Sequence, residues 1–473
     1  MINSNDRITI GEMDCLVRNR AGSRRPLHHV PISNIDFASK LVILDMPRSE
    51  EESNPVSNSS PVPAGTRPQF DDLVVGAGVL GLAHAYALAR RGRKVLVVER
   101  HARALGASVR NFGMIWPIGQ TLGANMNLGL RSREIWLELL KNAGIWHHAG
   151  GSLHVAHHED EAQVLTEFHA QAVEQGYDLE LINAAETLRH SQAVNPQGLK
   201  LSLYSRHEAA VDPREVIATL PGYLQKAWGV RFEFGQMVRG IDGHRVVTSA
   251  GEWTASRIWV CAGDETQILY PEILTRQGMF PCKLQMLRTA AQTDGWKIGP
   301  HLAGGLTLRH YTSFAGCPTL AALKARVARE TPLMDTYGIH VMASQNGRGE
   351  LTIGDSHEYN PPEEPFGPIS PFNTQIIDQL IMDYLRTIMV APDLEIAERW
   401  FGVYLKHPTK LWFETAAEPH VEILTGIGGN GMTLSMGVGE QHVARVLGET
   451  GSEDALDSRF SQNSGRQAIP ALA

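Results

Sequence analysis

The 473-residue chain has only four cysteines, Cys15, Cys261, Cys282 and Cys317, and no two of them stand in a CxxC pair. That sparseness excludes a disulfide framework and a cysteine-rich metal site, and a reducing compartment is expected. No apolar run approaches the ~18 residues needed to cross a bilayer, and the opening MINSNDRITIGEMD lacks the apolar stretch of a signal peptide. Residues 1–67 carry eight Lys/Arg and eight Asp/Glu, which is not the basic, acid-poor bias of an organelle transit peptide. A cytoplasmic protein without a transmembrane segment is expected. There is no long Lys/Arg run either, and the formal net charge of −8 gives a nucleic-acid backbone nothing to bind.

What is present is a chain 43% hydrophobic and 20% charged, long enough to bury a large core in more than one domain-sized unit. Residues 53–68, SNPVSNSSPVPAGTRP, carry four Pro and four Ser and read as a linker. Residues 1–69 are therefore expected to be a disordered extension and linker, with the ordered protein beginning near Phe70. From there FDDLVV, GAGVLG, LAHAYALARRG and KVLVVER read as strand, glycine turn, amphipathic helix and strand, a βαβ unit. Helices are predicted around Leu128–Asn142, Glu159–Gln175 and Thr374–Ile388, with a further one at Asp212-Pro213, where Asp supplies the cap and Pro the first-turn geometry. VRFEF, MVRGI, RVVTS and RIWVCAG read as closely spaced strands, and the run from Lys283 to Phe314 as strand-rich. A last helix is expected over Met432–Leu447. One parallel start followed by many antiparallel-looking strands predicts a mixed α/β (α+β) fold of two interleaved domains.

Gly76, Gly78 and Gly81 form GxGxxG between the first strand and helix. Gly76 permits the tight turn, Gly78 lets the backbone approach a pyrophosphate, and Gly81 allows close helix-to-strand packing. The helix opening at Ala77, Val79 and Leu80 turns its partial positive charge on the phosphates. Glu99 closes the second strand 23 residues after Gly76, the spacing of a carboxylate that accepts from ribose hydroxyls, and Arg100 follows it. Two further segments favour FAD over NAD. Gly106–Met114, GASVRNFGM, offers Ser108, Arg110, Asn111 and Gly113 beside an isoalloxazine ring, with Arg110 either stabilising reduced flavin or forming a surface ion pair. Gly426–Ser435, GIGGNGMTLS, is a glycine-dense turn in which the backbone of Gly428, Gly429, Asn430, Gly431 and Met432 is positioned to meet flavin. No second complete fingerprint for a separate NAD site is present.

These segments, together with RIWVCAG ending at Gly263, resemble the D-amino-acid oxidase superfamily, which includes glycine oxidase and sarcosine oxidase; the resemblance covers about residues 70–450. SVRNFGMIWP, CKLQMLRT, TLRHYTSF, TIGDSHEY and RWFGVY are similar to a subgroup associated with phosphonate breakdown. The resemblance implies a Rossmann-like FAD-binding domain over 70–142, 208–282 and 395–450. It implies an antiparallel-sheet substrate domain over 143–207 and 283–394, the active site lying between the two, with residues 451–473 a flexible tail. It implies oxidation of a small amine, 2-aminoethylphosphonate or its N-methyl derivative, to phosphonoacetaldehyde by hydride transfer from the amine carbon to flavin N5. Glycine, sarcosine or another small amino acid is the alternative, and a flavin-binding redox protein without turnover a third. Some members attach flavin through a Cys near the C-terminal segment; none follows Cys317 here, so non-covalent FAD is expected. Oxygen or an electron carrier would take the electrons.

No single catalytic residue stands out, since a bound cofactor carries the hard chemistry and the protein supplies placement and field. Substrate-site candidates are Arg309, His310 and Tyr311, consecutive on an expected strand, so that Arg309 and Tyr311 share one face and His310 the other. Gln285 and Lys283 share another strand face. His357 either bonds substrate or caps the loop after Asp355, and Tyr404 either walls the active site or packs in the core. The pairs His147-His148 and His157-His158 lack metal-ligand spacing, and no metal is expected.

Overall fold

The computed structural model describes residues 69–449 apart from 362, 363, 365, 366 and 368, so the expected extension, linker and tail lie outside the described residues, Gln69 excepted. Strand β1 (Phe70–Val75), helix α1 (Val79–Ala89) and strand β2 (Val95–Glu99) form the expected βαβ unit. β1 pairs in parallel with β2 on one side and with Glu252–Val260 on the other, in a register that aligns Val75 with Val98 and with Val260. The carboxyl ends of three parallel strands thus come level, which is where open α/β sheets bind ligands. Arg231–Phe234 and Val421–Thr425 extend the parallel core, and a meander through Val238–Asp242 and Arg245–Thr248 completes one edge.

α1 differs from expectation in being buried on every side rather than amphipathic. The sheet covers one face, and the final helix, Gly431–Val446, covers another. Small residues make that approach possible: a β-carbon on Gly439 would lie 3.0 Å from Ala83 of α1, and one on Gly437 2.7 Å from Leu128 of the helix Ala124–Ala143.

The second large sheet runs Ile396–Lys406, Phe280–Ala291, Glu350–Gly354, Met342–Gln345, His301–Gly304, Ser152–Ala156, Leu201–Ser205 and Leu179–Asn183, antiparallel except between His301–Gly304 and Ser152–Ala156. Ile396–Lys406, assigned by resemblance to the flavin-side segment 395–450, instead pairs along the length of Phe280–Ala291, with Tyr404 opposite Cys282. It carries side chains from the second sheet toward the glycine turns. Within the expected strand-rich stretch, Gly305–Arg309 and Thr312–Phe314 are short 3-10 turns. The chain leaves the sheet at Gly304 and Gly305, where Tyr384 and the Glu161 carboxylate occupy the space of any side chain. The alternation of faces expected for Arg309, His310 and Tyr311 therefore does not apply.

Asp212 caps the helix Pro213–Trp228 as expected, its side chain accepting from the Arg214 N–H. Among the described residues no helix is long and apolar enough to cross a membrane.

Candidate functional site

A cavity of about 670 Å³ runs from the glycine turn after β1 to a group of histidines beside the second sheet. Its size suits a cofactor and a small substrate.

At the glycine end, Gly76 takes φ +97°, which a side chain resists, and a β-carbon there would meet the Cys261 carbonyl at 2.8 Å. On Gly81 it would lie 1.9 Å from the Gly76 carbonyl oxygen, so the helix can approach the turn only without a side chain. No side chain caps α1 at Gly78. Ser108 Oγ accepts from the Val79 N–H at 2.9 Å, tying the Gly106–Met114 segment to the helix start. Glu99, 7% exposed, lies at the cavity wall with Arg100, whose guanidinium pairs with Glu265. Burial raises the Asp264 carboxyl above its usual range, and nearby Arg110 opposes that rise.

Gly76, Gly78, Val79, Leu80, Glu99, Arg100, Ser108, Arg110, Asn111 and Gly263 all border this cavity. So do Gly428, Gly429, Asn430, Gly431 and Met432 from the far end of the chain. Ala77 and Gly81 support it from behind. Gly113 does not line it: its φ of +71° and a Val211 carbonyl 2.0 Å from any added β-carbon make it a packing glycine, held by the Asn111 side chain, which accepts from its N–H. The glycine turn, the helix N-terminus, the strand-end carboxylate and the C-terminal glycine turn on one cavity together fit FAD. Those residues would hold its nucleotide and ring portions.

At the other end four of the substrate-site candidates, His310, Tyr311, His357 and Tyr404, line the cavity. Gln285, Lys283 and Arg309 do not. Gln285 is fully buried and holds the start of the helix Gln375–Ile388, its Nε2 donating to the Thr374 carbonyl and to Asp378, its Oε1 accepting from the Thr374 N–H. Lys283 donates to the Phe372 carbonyl beside Glu358. Arg309 turns away to Asp335 and the Ile339 carbonyl.

His340 and Lys406 are among the cavity residues that went unmarked in the sequence, and Asp355 entered only as the residue before the His357 loop. Lys406 shares a strand face with Tyr404 two residues before it, a signal that period-two alternation carries. His340 has no such signal. Its Nε2 lies 2.7 Å from an Asp355 carboxylate oxygen, and backbone bonds in both directions join the two residues. The His357 Nε2 meets the Tyr404 hydroxyl at 3.1 Å, and that hydroxyl would be 3.4 Å from a β-carbon on Gly429. Tyr404 thus joins the histidines to the C-terminal glycine turn. Burial pushes His310 well below its usual value, helped by the other two rings, and lowers His357 to about 4. Burial likewise drives the Tyr404 hydroxyl well above its ordinary range. His310, His340 and His357 are also the only group among the described residues whose ligand atoms lie close enough to share an ion.

Part of the chain is similar to D-amino acid dehydrogenase 2 of Mesorhizobium japonicum, 25% identical over 41% of this chain and 62% of that protein. Part is similar to monomeric sarcosine oxidase of Streptomyces avermitilis, 27% identical over 45% of this chain and 55% of that protein. The chain thus spans about three fifths of the length of these relatives. The fold is similar to the crystal structure of glycine oxidase from Geobacillus kaustophilus, with a TM-score of 0.63 at 18% identity over 81% of this chain and 96% of that one. The family model described as FAD dependent oxidoreductase matches residues 71–445, nearly the whole described fold, and the chain belongs to that family, with FAD as its cofactor.

Proposed function

We propose that the protein oxidises the carbon–nitrogen bond of a small amine, most concretely 2-aminoethylphosphonate or its N-methyl derivative. The observation that carries this is one cavity joining the dinucleotide turns to a cluster of imidazole and phenol groups, with Tyr404 between the two. The similar sarcosine oxidase and D-amino acid dehydrogenase agree with amine chemistry. The sequence motifs around Ser108–Pro117 and Thr352–Tyr359 support the phosphonate.

FAD, held by the glycine turns at Gly76–Gly81 and Gly428–Met432, would supply the acceptor for a hydride from the amine carbon. The substrate loses two electrons and two protons as C–N becomes C=N, and water then releases phosphonoacetaldehyde with ammonia or methylamine. The protein's part is to place that carbon, exclude water and accept the amine's proton. Apolar walls from Met114, Trp116, Met286 and Met342 suit the first two tasks. Glycine, sarcosine or another small amino acid is the second reading, favoured by the named substrate of the similar sarcosine oxidase.

Anaerobic flavin bleaching by 2-aminoethylphosphonate, its N-methyl form, glycine and sarcosine separates these readings. Faster bleaching by a phosphonate is expected; bleaching by the amino acids alone moves the assignment to them, and bleaching by no amine supports a non-catalytic flavoprotein. Admitting air afterwards and assaying hydrogen peroxide tells oxygen from another acceptor.

A further inference from the structure

We propose that His310, His340 and His357, with Lys406, form a subsite that grips a tetrahedral oxyanion on the substrate. The inference rests on the amine-oxidation reading and adds the residues that select the substrate's other end.

The three rings come from separate segments: one ends the turn Gly305–Arg309, one precedes the strand Met342–Gln345, and one follows the strand Glu350–Gly354. Their centroids lie 4.4, 4.9 and 5.0 Å apart. Each keeps a buried nitrogen without a hydrogen-bond partner: Nε2 of His310, Nδ1 of His340 and Nδ1 of His357. Buried polar atoms in a native protein are paired, so three orphans on one cavity wall mark a missing ligand. Lys406 adds a cation at this end, donating to the Tyr359 hydroxyl at 3.1 Å and acting electrostatically on both His310 and His357.

Three nitrogens side by side and a point charge match the three terminal oxygens of a phosphonate. A planar carboxylate offers two oxygens and is best met by a bidentate Arg, yet Arg309 is turned away toward Asp335. A metal ion fits less well. Lone pairs lie in the ring planes, and planes only 22° to 35° apart direct them alongside one another rather than onto one point. A tetrahedral anion is wide enough to meet such a fan.

The His340 Nε2 lies 2.7 Å from an Asp355 carboxylate oxygen. The other charged or titratable groups facing the rings are Arg309, Tyr311, Tyr359, Tyr404 and Lys406.

The test is calorimetry on FAD-loaded protein, titrated with methylphosphonate, acetate and Zn²⁺. Methylphosphonate is expected to bind at least about tenfold more tightly than acetate, and to lose at least about tenfold in His340→Gln and in Lys406→Met. Retained flavin absorbance shows that each variant is folded, and Lys406→Met serves if His340→Gln loses its flavin. Equal binding of the two anions, unchanged affinity in the variants, or stoichiometric Zn²⁺ binding overturns the subsite. Flavin that no amine bleaches, in protein that still binds methylphosphonate this way, removes the amine chemistry and leaves the subsite standing. Bleaching by aminophosphonate with unchanged variant affinities does the reverse.

Discussion

One Glu99 carboxylate oxygen accepts from the Ala77 N–H at 2.9 Å, and the other accepts from the His101 N–H at 3.0 Å. This single side chain ties the end of β2 to the glycine turn after β1 while remaining on the cavity wall. Glu99→Gln keeps the shape but replaces one acceptor oxygen by an amide that can only donate. The variant is expected to fold and to bind FAD about 10- to 100-fold more weakly, the range for hydrogen bonds to a charged group. Fluorescence titration of apoprotein with FAD measures this, and unaltered affinity would remove Glu99 from the ribose contact.

Gly81 and Gly78 carry different burdens although one motif contains both. A β-carbon on Gly81 strikes backbone, 1.9 Å from the Gly76 carbonyl oxygen, whereas on Gly78 it comes within 3.0 Å only of the Ser108 hydroxyl, which can rotate. Gly81→Ala is therefore expected to cost about 3 kcal/mol or more and to yield colourless protein. Gly78→Ala is expected to keep its denaturation midpoint and lose flavin. Urea unfolding and the absorbance of the purified variants check both, and a Gly81→Ala protein with normal midpoint and full flavin contradicts the packing argument.

The cofactor end was legible in the sequence because its determinants are local: a strand, three glycines, a helix and a strand-end acid within 24 residues, Gly76 to Glu99. The histidine end of the cavity was legible only in part. His310, His357 and Tyr404 stood in suggestive motifs, but His340 joins them through strand pairing between distant segments, which spacing along the chain does not reveal. Arg309 misled because face alternation presumes a strand, and Gly304 and Gly305 end that strand first. The helix α1 misled more mildly. Its alanines and glycine allow packing on all sides, so a buried helix showed little of the periodicity that marks a surface one.

Gln285 illustrates a polar residue whose partners are structural. All three of its side-chain hydrogen bonds go to Thr374 and Asp378, and its side chain does not reach the cavity. Gln285→Leu leaves the Thr374 N–H and carbonyl without those partners and is expected to destabilise the protein by about 2–3 kcal/mol. The substrate concentration for half-maximal flavin reduction should stay at the wild-type value. A variant of normal stability with a raised half-maximal concentration would return Gln285 to the substrate site.

His154 provides a pH signature of the core. Its ring is 1% exposed, sits 5.2 Å from Trp116 and 5.5 Å from Phe314, and has no partner on either nitrogen. Burial lowers it to about 3 from an ordinary 6.5. Because the folded value is the lower one, the unfolded chain binds the proton first as pH falls. The stability linked to this ring is complete above about pH 6.5 and declines toward pH 3. At about pH 5.5 the loss amounts to about 1.4 kcal/mol relative to about pH 8. His154→Leu has nothing to titrate, so its stability relative to wild type should rise by that amount between the two conditions, whatever its packing costs at both. Urea unfolding of both proteins at the two pH values measures the difference, and a gap that does not change with pH would mean that the imidazole is not held neutral in the fold.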